Sequence, residues 1–455
     1  MSYKLSIVKN KMMKRIINIL ILLCCIASLS SCGNSTEERS RVLKIYNWAD
    51  YIDEDVLAEF PDWYKQQTGE DLRIIYQVFD INEIMLTKIE RGHEDFDVVC
   101  PSEYIIERML RKDLLLPIDR NFGHTPDYIP NVSPYIRHEL NKTSQPERQT
   151  EDYAVPYMWG TAGILFNKKF ITAEEAGTWD ILWDSKNRGK ILMKDSYRDA
   201  YGTAIIYAHA RELADSTVTV EQLMNDNSPQ AIALAEQRLK EMKPNIAGWE
   251  ADFGKEMMTK NKAWINFTWS GDAVWAIEEA DAVGVELDYT VPCEGSNIWY
   301  DGWVIPKYAR NPKAAAYFIN YLCQPGIALR NMDAIGYVSA VATPEIMEAK
   351  RDTAIATRSD LSYFFGEGVG ADSLQINPVQ YPDRKVVERC AMIRDFGDRT
   401  ELVLEMWSRV KGDNLNTGIV LLIFSVFGVL FVWLVYGKIR KYRQKQRHHR
   451  RRRIR

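Results

Sequence analysis

From Val42 onward the chain alternates β-rich apolar runs with amphipathic helical patterns, which restricts it to folds built on parallel strands with helical crossovers. Val42 to Trp48 reads as a strand, about Asp53 to Gln67 as a helix closed by Gly69, and Leu72 to Phe79 as a second strand. A helix capped at Asn82 and stopped at Gly92 leads to a third strand, Phe96 to Cys100. Residues 121–150 are Pro-, Asn- and Lys-rich and read as loop, and Tyr153-Ala154-Val155-Pro156-Tyr157 opens a second region. There helices are predicted at about 200–214, 228–243 and 312–323, with strands at Ala263 to Phe267 and Trp303 to Ile305. In a chain of 455 residues, two α/β lobes are the economical architecture.

The two ends differ from this body in charge. Residues 1–31 hold five Lys or Arg and no acid, and residues 438–455 hold eleven and no acid. With those sixteen set aside, 42 basic residues face 62 acidic ones, so 32–437 carries a formal charge of -20. Such a field repels nucleic acid and attracts small cations. Lys14 and Arg15 precede an uncharged run ending Leu29-Ser30-Ser31-Cys32-Gly33, a signal-peptide pattern. Small residues before a cysteine resemble a bacterial lipobox, which implies cleavage before Cys32 and lipidation of its sulfur, with 32–41 as a linker. A charge-free stretch over 414–437 predicts a transmembrane helix, and the basic tail 438–455 places the C-terminus in the cytoplasm and the body outside.

Cys100, Cys293, Cys323 and Cys390 remain in the body, too widely spaced for a disulfide framework or a zinc site. They read as small apolar residues with room for one bridge.

In open α/β sheets ligands bind beyond the carboxyl ends of the strands. The first strand ends Tyr46-Asn47-Trp48-Ala49-Asp50-Tyr51 and the third ends Pro101-Ser102-Glu103-Tyr104. The strand from Ala263 runs into Thr268-Trp269-Ser270-Gly271-Asp272, and Trp299-Tyr300-Asp301 precedes Trp303. Aromatic rings beside carboxylates suit an organic cation: an ammonium over a Trp or Tyr face gains ~0.5–2 kcal/mol, and a carboxylate adds a charge-assisted bond. Each residue also has a plain structural role available, since a single Trp is usually core and Asp272 could cap its helix.

Those motifs, with Asp97-Val98-Val99-Cys100-Pro101-Ser102, Val155-Pro156-Tyr157-Met158-Trp159-Gly160 and Ile335-Gly336-Tyr337, resemble the periplasmic spermidine/putrescine-binding proteins of polyamine ABC importers. The resemblance spans roughly Val42 to Lys411. It implies a two-lobed periplasmic-binding-protein fold of type II, with 42–154 and 302–338 forming one lobe and 155–301 and 339–411 the other. By position it implies that Trp48, Tyr51, Tyr104, Trp269, Trp299 and Tyr337 form an aromatic box, with Ser102 beside it. Asp272 and Asp301 would hold one ammonium group and Asp199 the distal one. Spermidine binders often carry an acid where this chain has Ser196, and Asp272 is more like putrescine binders, whereas Tyr104 points towards spermidine; the sequence leans towards putrescine. The implied partners are the polyamine, the permease and ATPase subunits of the importer, and the membrane; no cofactor is implied. The implied location is the periplasmic face of the inner membrane.

There is no Gly-x-Ser-x-Gly turn, phosphate loop or His-Glu-x-x-His motif, so the sequence offers little to an enzyme. Two alternatives use the same cleft: a membrane-tethered polyamine sensor, and a carbohydrate-binding protein or glycosidase employing paired acids.

Overall fold

The computed structural model describes residues 39–251 and 253–412, with a few further positions between 425 and 436. Two units are distinguished, one up to Thr400 and one from Glu401 onward. The second is described chiefly through a helix, Thr400–Gly412.

The first unit is built on strands that neighbour one another in the order 73–79, 42–48, 98–99, 298–306, 154–167, 265–269, 191–194 and 246–250. β1 (Val42–Trp48) is joined by α1 (Glu54–Thr68) to β2 (Arg73–Phe79), and the strands pair in parallel from Val42 beside Arg73 to Trp48 beside Phe79. The Asp53 side chain caps α1 by accepting the amides of Asp55 and Val56. Gly69 ends it at φ 77°, a left-handed conformation that costs glycine little.

α2 (Asn82–Glu90) begins after Ile81, so Asn82 is the first helical residue and not the predicted cap. Its amide is engaged elsewhere, as described below. β3 (Val98–Val99) is shorter than predicted, and α3 (Glu103–Arg111) and β4 (Leu115–Leu116) follow. The predicted loop 121–150 contains α4 (Pro134–Asn141), started by a proline whose missing amide costs nothing in the first turn.

β5 (Ala154–Asn167) is buried along all 14 residues. In the second lobe come β6 (Ile191–Lys194), α5 (Tyr197–Ala208), α6 (Pro229–Met242), β7 (Ile246–Glu250), β8 (Ile265–Trp269), α7 (Ser270–Ala282) and β9 (Leu287–Thr290). β6 pairs in parallel with both β7 and β8. β10 (Ile298–Pro306) returns towards the first lobe, and α8 (Pro312–Leu322), α9 (Pro325–Ile335) and β11 (Val338–Ser339) follow.

Two parallel sub-sheets, β2-β1-β3 and β8-β6-β7, are therefore tied by two long antiparallel strands. β5 pairs with β10 from Ala154 to Thr161 and with β8 from Ala162 to Phe166, so one strand serves both lobes. The two-lobed α/β expectation agrees with this topology. Val341, Ile346, Leu361, Phe364 and Leu374 share a core cluster with Ile45, Val98 and Ile106, so part of the segment 339–411 packs with first-lobe side chains. A separate cluster around Leu165, Leu192 and Ala276 serves the second lobe.

The expected C-terminal transmembrane helix is not supported: among the described residues no helix is long and apolar enough to cross a membrane. Most of 414–437 lies outside the described residues, as do the signal segment, Cys32 and the basic tail. Cys100, Cys293, Cys323 and Cys390 are all free thiols, and Cys293 is exposed rather than part of the core.

Candidate ligand-binding site

The carboxyl end of β1 delivers Tyr51 towards β10, where its hydroxyl donates to Asp301 Oδ2 at 2.8 Å. Ser102, which precedes α3, forms an isolated antiparallel bridge with Asp301. Asp301 is only 7% exposed. Burial pushes its carboxyl up to about 6, against the opposing hydrogen bonds of Ser102 and Tyr51. This is a buried acid held by neutral hydroxyls.

A second such acid lies in the other lobe. Asp199 sits in the first turn of α5, 5% exposed. Ser196 Oγ donates to its Oδ2 at 2.7 Å, Asn297 Nδ2 to its Oδ1 at 2.9 Å, and Trp269 Nε1 to Oδ2 at 3.4 Å. Burial raises its pKa despite these donors and the nearby Arg198. Ser196, where spermidine binders often carry an acid, is here the N-cap of α5, accepting the Asp199 amide.

Asp272, in the first turn of α7, is different. Its Oδ2 lies 2.7 Å from Lys194 Nζ, its Oδ1 accepts the Tyr337 hydroxyl at 3.0 Å, and Lys255 Nζ is 3.7 Å away. Burial would raise its pKa, but Lys194 and Lys255 outweigh that and hold it below the ordinary carboxylate value. Lys194 ends β6, directly beside Glu250 at the end of β7, and its Nζ lies 3.1 Å from Glu250. Burial opposes its charge, yet Asp272 and Glu250 raise its pKa overall. Asp272 thus carries its counterion within the protein.

Aromatic rings connect these groups. The Tyr337 ring meets Tyr51 edge-on at 5.3 Å and Trp299 at 5.5 Å. Tyr157 packs edge-on against Tyr51 at 5.6 Å. Trp269 lies with its face under Lys194 and its N–H on Asp199. Tyr104 is part of a polar relay: Asn82 Nδ2 donates to Ser102 Oγ at 3.1 Å and to the Tyr104 hydroxyl at 3.2 Å, and Tyr104 donates to Glu83 at 3.0 Å. Tyr197 of the second lobe donates to the same Glu83 oxygen at 3.1 Å. Trp48 packs instead on Phe79, at 4.5 Å between ring centroids. Of the ten residues singled out from sequence, eight (Tyr51, Ser102, Asp199, Trp269, Asp272, Trp299, Asp301 and Tyr337) are joined through these contacts. Tyr104 joins through Asn82, and Trp48 stands at the mouth of β1.

Sequence reasoning missed Lys194, Glu250, Glu83 and Glu103. Lys194 closes an apolar strand, Ile191-Leu192-Met193-Lys194, where a charge is unusual; its partner Glu250 emerges only from the register of β6 with β7. Glu103 is 1% exposed and accepts the Tyr300 amide at 3.0 Å. Burial, then the neighbouring Asp301 and Asp199, push its pKa well above the ordinary range and favour the neutral acid.

The arrangement offers two buried acids, Asp301 and Asp199, that form no ion pair among the described residues, with aromatic rings between them. Asn297, which fixes Asp199, then Trp299 and Asp301 alternate along one edge of β10 and its flank, spanning about 13 Å from 297 to 301 at ~3.3 Å per residue. That geometry suits a cationic ligand with charge at both ends and carbon between. No group of His, Cys, Asp and Glu among the described residues is placed to hold a metal ion.

Comparison with known proteins gives a consistent picture. The chain is 27% identical over 374 residues to the spermidine/putrescine-binding periplasmic protein of Salmonella typhimurium, covering 81% of this chain and 91% of that one. It is 28% identical over 324 residues to the putrescine-binding periplasmic protein PotF of Escherichia coli, covering 69% and 82%. Among solved structures, a putative spermidine/putrescine ABC transporter protein from Listeria monocytogenes superposes with a TM-score of 0.64 at 28% identity, over 82% of this chain and 99% of that one. Residues 62–357 match the bacterial extracellular solute-binding protein family. On this match, the chain belongs to the bacterial extracellular solute-binding proteins.

Proposed function

We propose that this chain binds a polyamine of the putrescine or spermidine type on the periplasmic side of the membrane and delivers it to an ABC importer. The relatives named for spermidine and putrescine binding support the ligand class and the compartment. The observation that carries the reading is the pair Asp301 and Asp199. Both are buried, both have pKa values raised by burial, and both are hydrogen-bonded by neutral donors on either side of Trp299. An ammonium group at each would supply the missing positive charge, and Trp299 would cover the methylenes between them at ~0.8 kcal/mol per buried CH₂.

Binding would favour closure of the lobes about β5 and β10, because empty carboxylates repel and a dication bridges them. The ligand shifts the open–closed equilibrium only by its difference in affinity for the two states. The closed form would dock on the permease of the importer, whose ATPase subunits would power transport, and lipidation at Cys32 would keep the protein at the membrane. This is the role of a binding protein, with no reacting group assigned.

Isothermal titration calorimetry with putrescine, spermidine, choline and maltose tests the reading. Nanomolar-to-micromolar binding of at least one polyamine is expected; heat with maltose and none with either amine would overturn it in favour of a carbohydrate ligand.

A further inference from the structure

Lys194 is an ammonium group already seated in the kind of environment that the site offers a ligand. Its side chain is 1% exposed and its Nζ lies 4.7 Å over the Trp269 ring. Nζ has three acceptors in reach: Asp272 Oδ2 at 2.7 Å, Glu250 Oε1 at 3.1 Å and the Ala251 carbonyl at 2.9 Å. Three ammonium protons meet three oxygens, so the group is saturated. The other Asp272 oxygen is engaged by Tyr337 and faces Lys255.

An aromatic face and a carboxylate are the two features that capture an organic cation. At Trp269 and Asp272 both are occupied by the chain itself. A ligand nitrogen could take this position only by displacing a buried, hydrogen-bonded ion pair, and a cation stopping short of it would face Lys194 at close range. Asp301 and Asp199 remain, two anionic positions for two ammonium groups.

We propose that Lys194 stands in for one ammonium group of a longer polyamine and so sets the site to take a short diamine in preference to a triamine. The proposal rests on the polyamine reading above and assigns Lys194 as a specificity-determining residue. Its side chain fills a subsite that would otherwise add a third cation position, formed by Trp269, Asp272 and Glu250.

The test compares putrescine and spermidine affinities of the full chain and of Lys194→Thr, by calorimetry. The unmodified chain is expected to prefer putrescine by at least about tenfold, and Lys194→Thr to shift the ratio towards spermidine by at least about tenfold. The triple variant Lys194→Thr/Asp272→Asn/Glu250→Gln removes all three charges of that subsite and is expected to show no gain for spermidine. A folded Lys194→Thr with an unchanged ratio overturns the proposal, as does a spermidine preference in the unmodified chain or a spermidine gain in the triple variant. Should the single variant fail to fold, the last two measurements decide. Binding of neither amine by the unmodified chain counts against the polyamine reading itself; binding of both with no shift in ratio counts against Lys194 alone.

Discussion

The Tyr51 hydroxyl donates to Asp301 at 2.8 Å across 250 positions of sequence, joining the mouth of β1 to the crossing strand β10. The bond gives Asp301 a neutral partner where most buried carboxylates have a cation, and it leaves the charge of Asp301 available to a ligand. Replacing Asp301 by Asn should weaken polyamine binding about 100-fold or more, roughly 3 kcal/mol. It should also stabilise the ligand-free chain at pH 8, because burying the ionised acid opposes folding. Calorimetry and thermal unfolding read the two effects separately, and a variant that loses affinity and stability together would contradict the assignment.

The raised pKa of Asp301, about 6 against 3.8 for the ordinary group, fixes the sign of the pH dependence. Between those values the folded chain holds a proton that the unfolded chain has released, so this group's contribution to stability falls as pH rises through the window. Ligand binding runs the other way. An ammonium needs the carboxylate, so affinity should drop by about tenfold per unit below pH 6 and be nearly flat from 7 to 8. Titrations from pH 5 to 8 in a fixed buffer of matched ionic strength would show it.

Tyr51→Phe removes a donor that favours ionised Asp301 and leaves the ring in place. The midpoint of the acid loss of binding should move to higher pH, with affinity at pH 7 reduced by a few-fold. A midpoint that stays put would mean that the hydroxyl does not govern the charge of Asp301.

Gly271 lies against the Tyr337 ring so closely that a Cβ there would come within 2.4 Å of ring atoms. Gly271→Ala should therefore push Tyr337 away from Asp272 and Trp299, costing about 1–3 kcal/mol of stability and weakening the ligand. Chemical denaturation with and without putrescine measures both.

Lys194→Met leaves Glu250 buried without its cation and Asp272 with only Lys255, 3.7 Å away, and should destabilise the ligand-free chain by about 3–5 kcal/mol at pH 7. In the unmodified chain the lowered pKa of Asp272 gives stability that is present above the ordinary carboxylate value and lost as pH falls through the lowered one. The penalty of the variant should accordingly shrink at acid pH, where Asp272, lacking Lys194, takes up a proton. Denaturation midpoints at pH 7 and pH 5 check this.

The fold was readable where caps and turn residues act locally. Asp53 and Gly69 bracket α1 within a residue of expectation, and β1 and β2 fall where their apolar runs do. Long-range pairing was less legible. β5 runs for 14 residues, and nothing in Ala154-Val155-Pro156 announces that it will pair with β10 and then β8. The site followed the same division. Strand-end aromatics and acids can be found by walking along the sequence, but the ion pair of Asp272 with Lys194 cannot, because the two lie 78 positions apart on different elements. Asn82 looked like a helix cap because its contacts with Ser102 and Tyr104 depend on tertiary structure.

The most direct measurement of the central claim is a crystal structure with putrescine bound. The account predicts one ammonium nitrogen within hydrogen-bonding distance of Asp301, the other within reach of Asp199, the carbon chain against Trp299, and Lys194 still paired with Asp272. Putrescine seated elsewhere, or with an ammonium on Asp272 in place of Lys194, would contradict it.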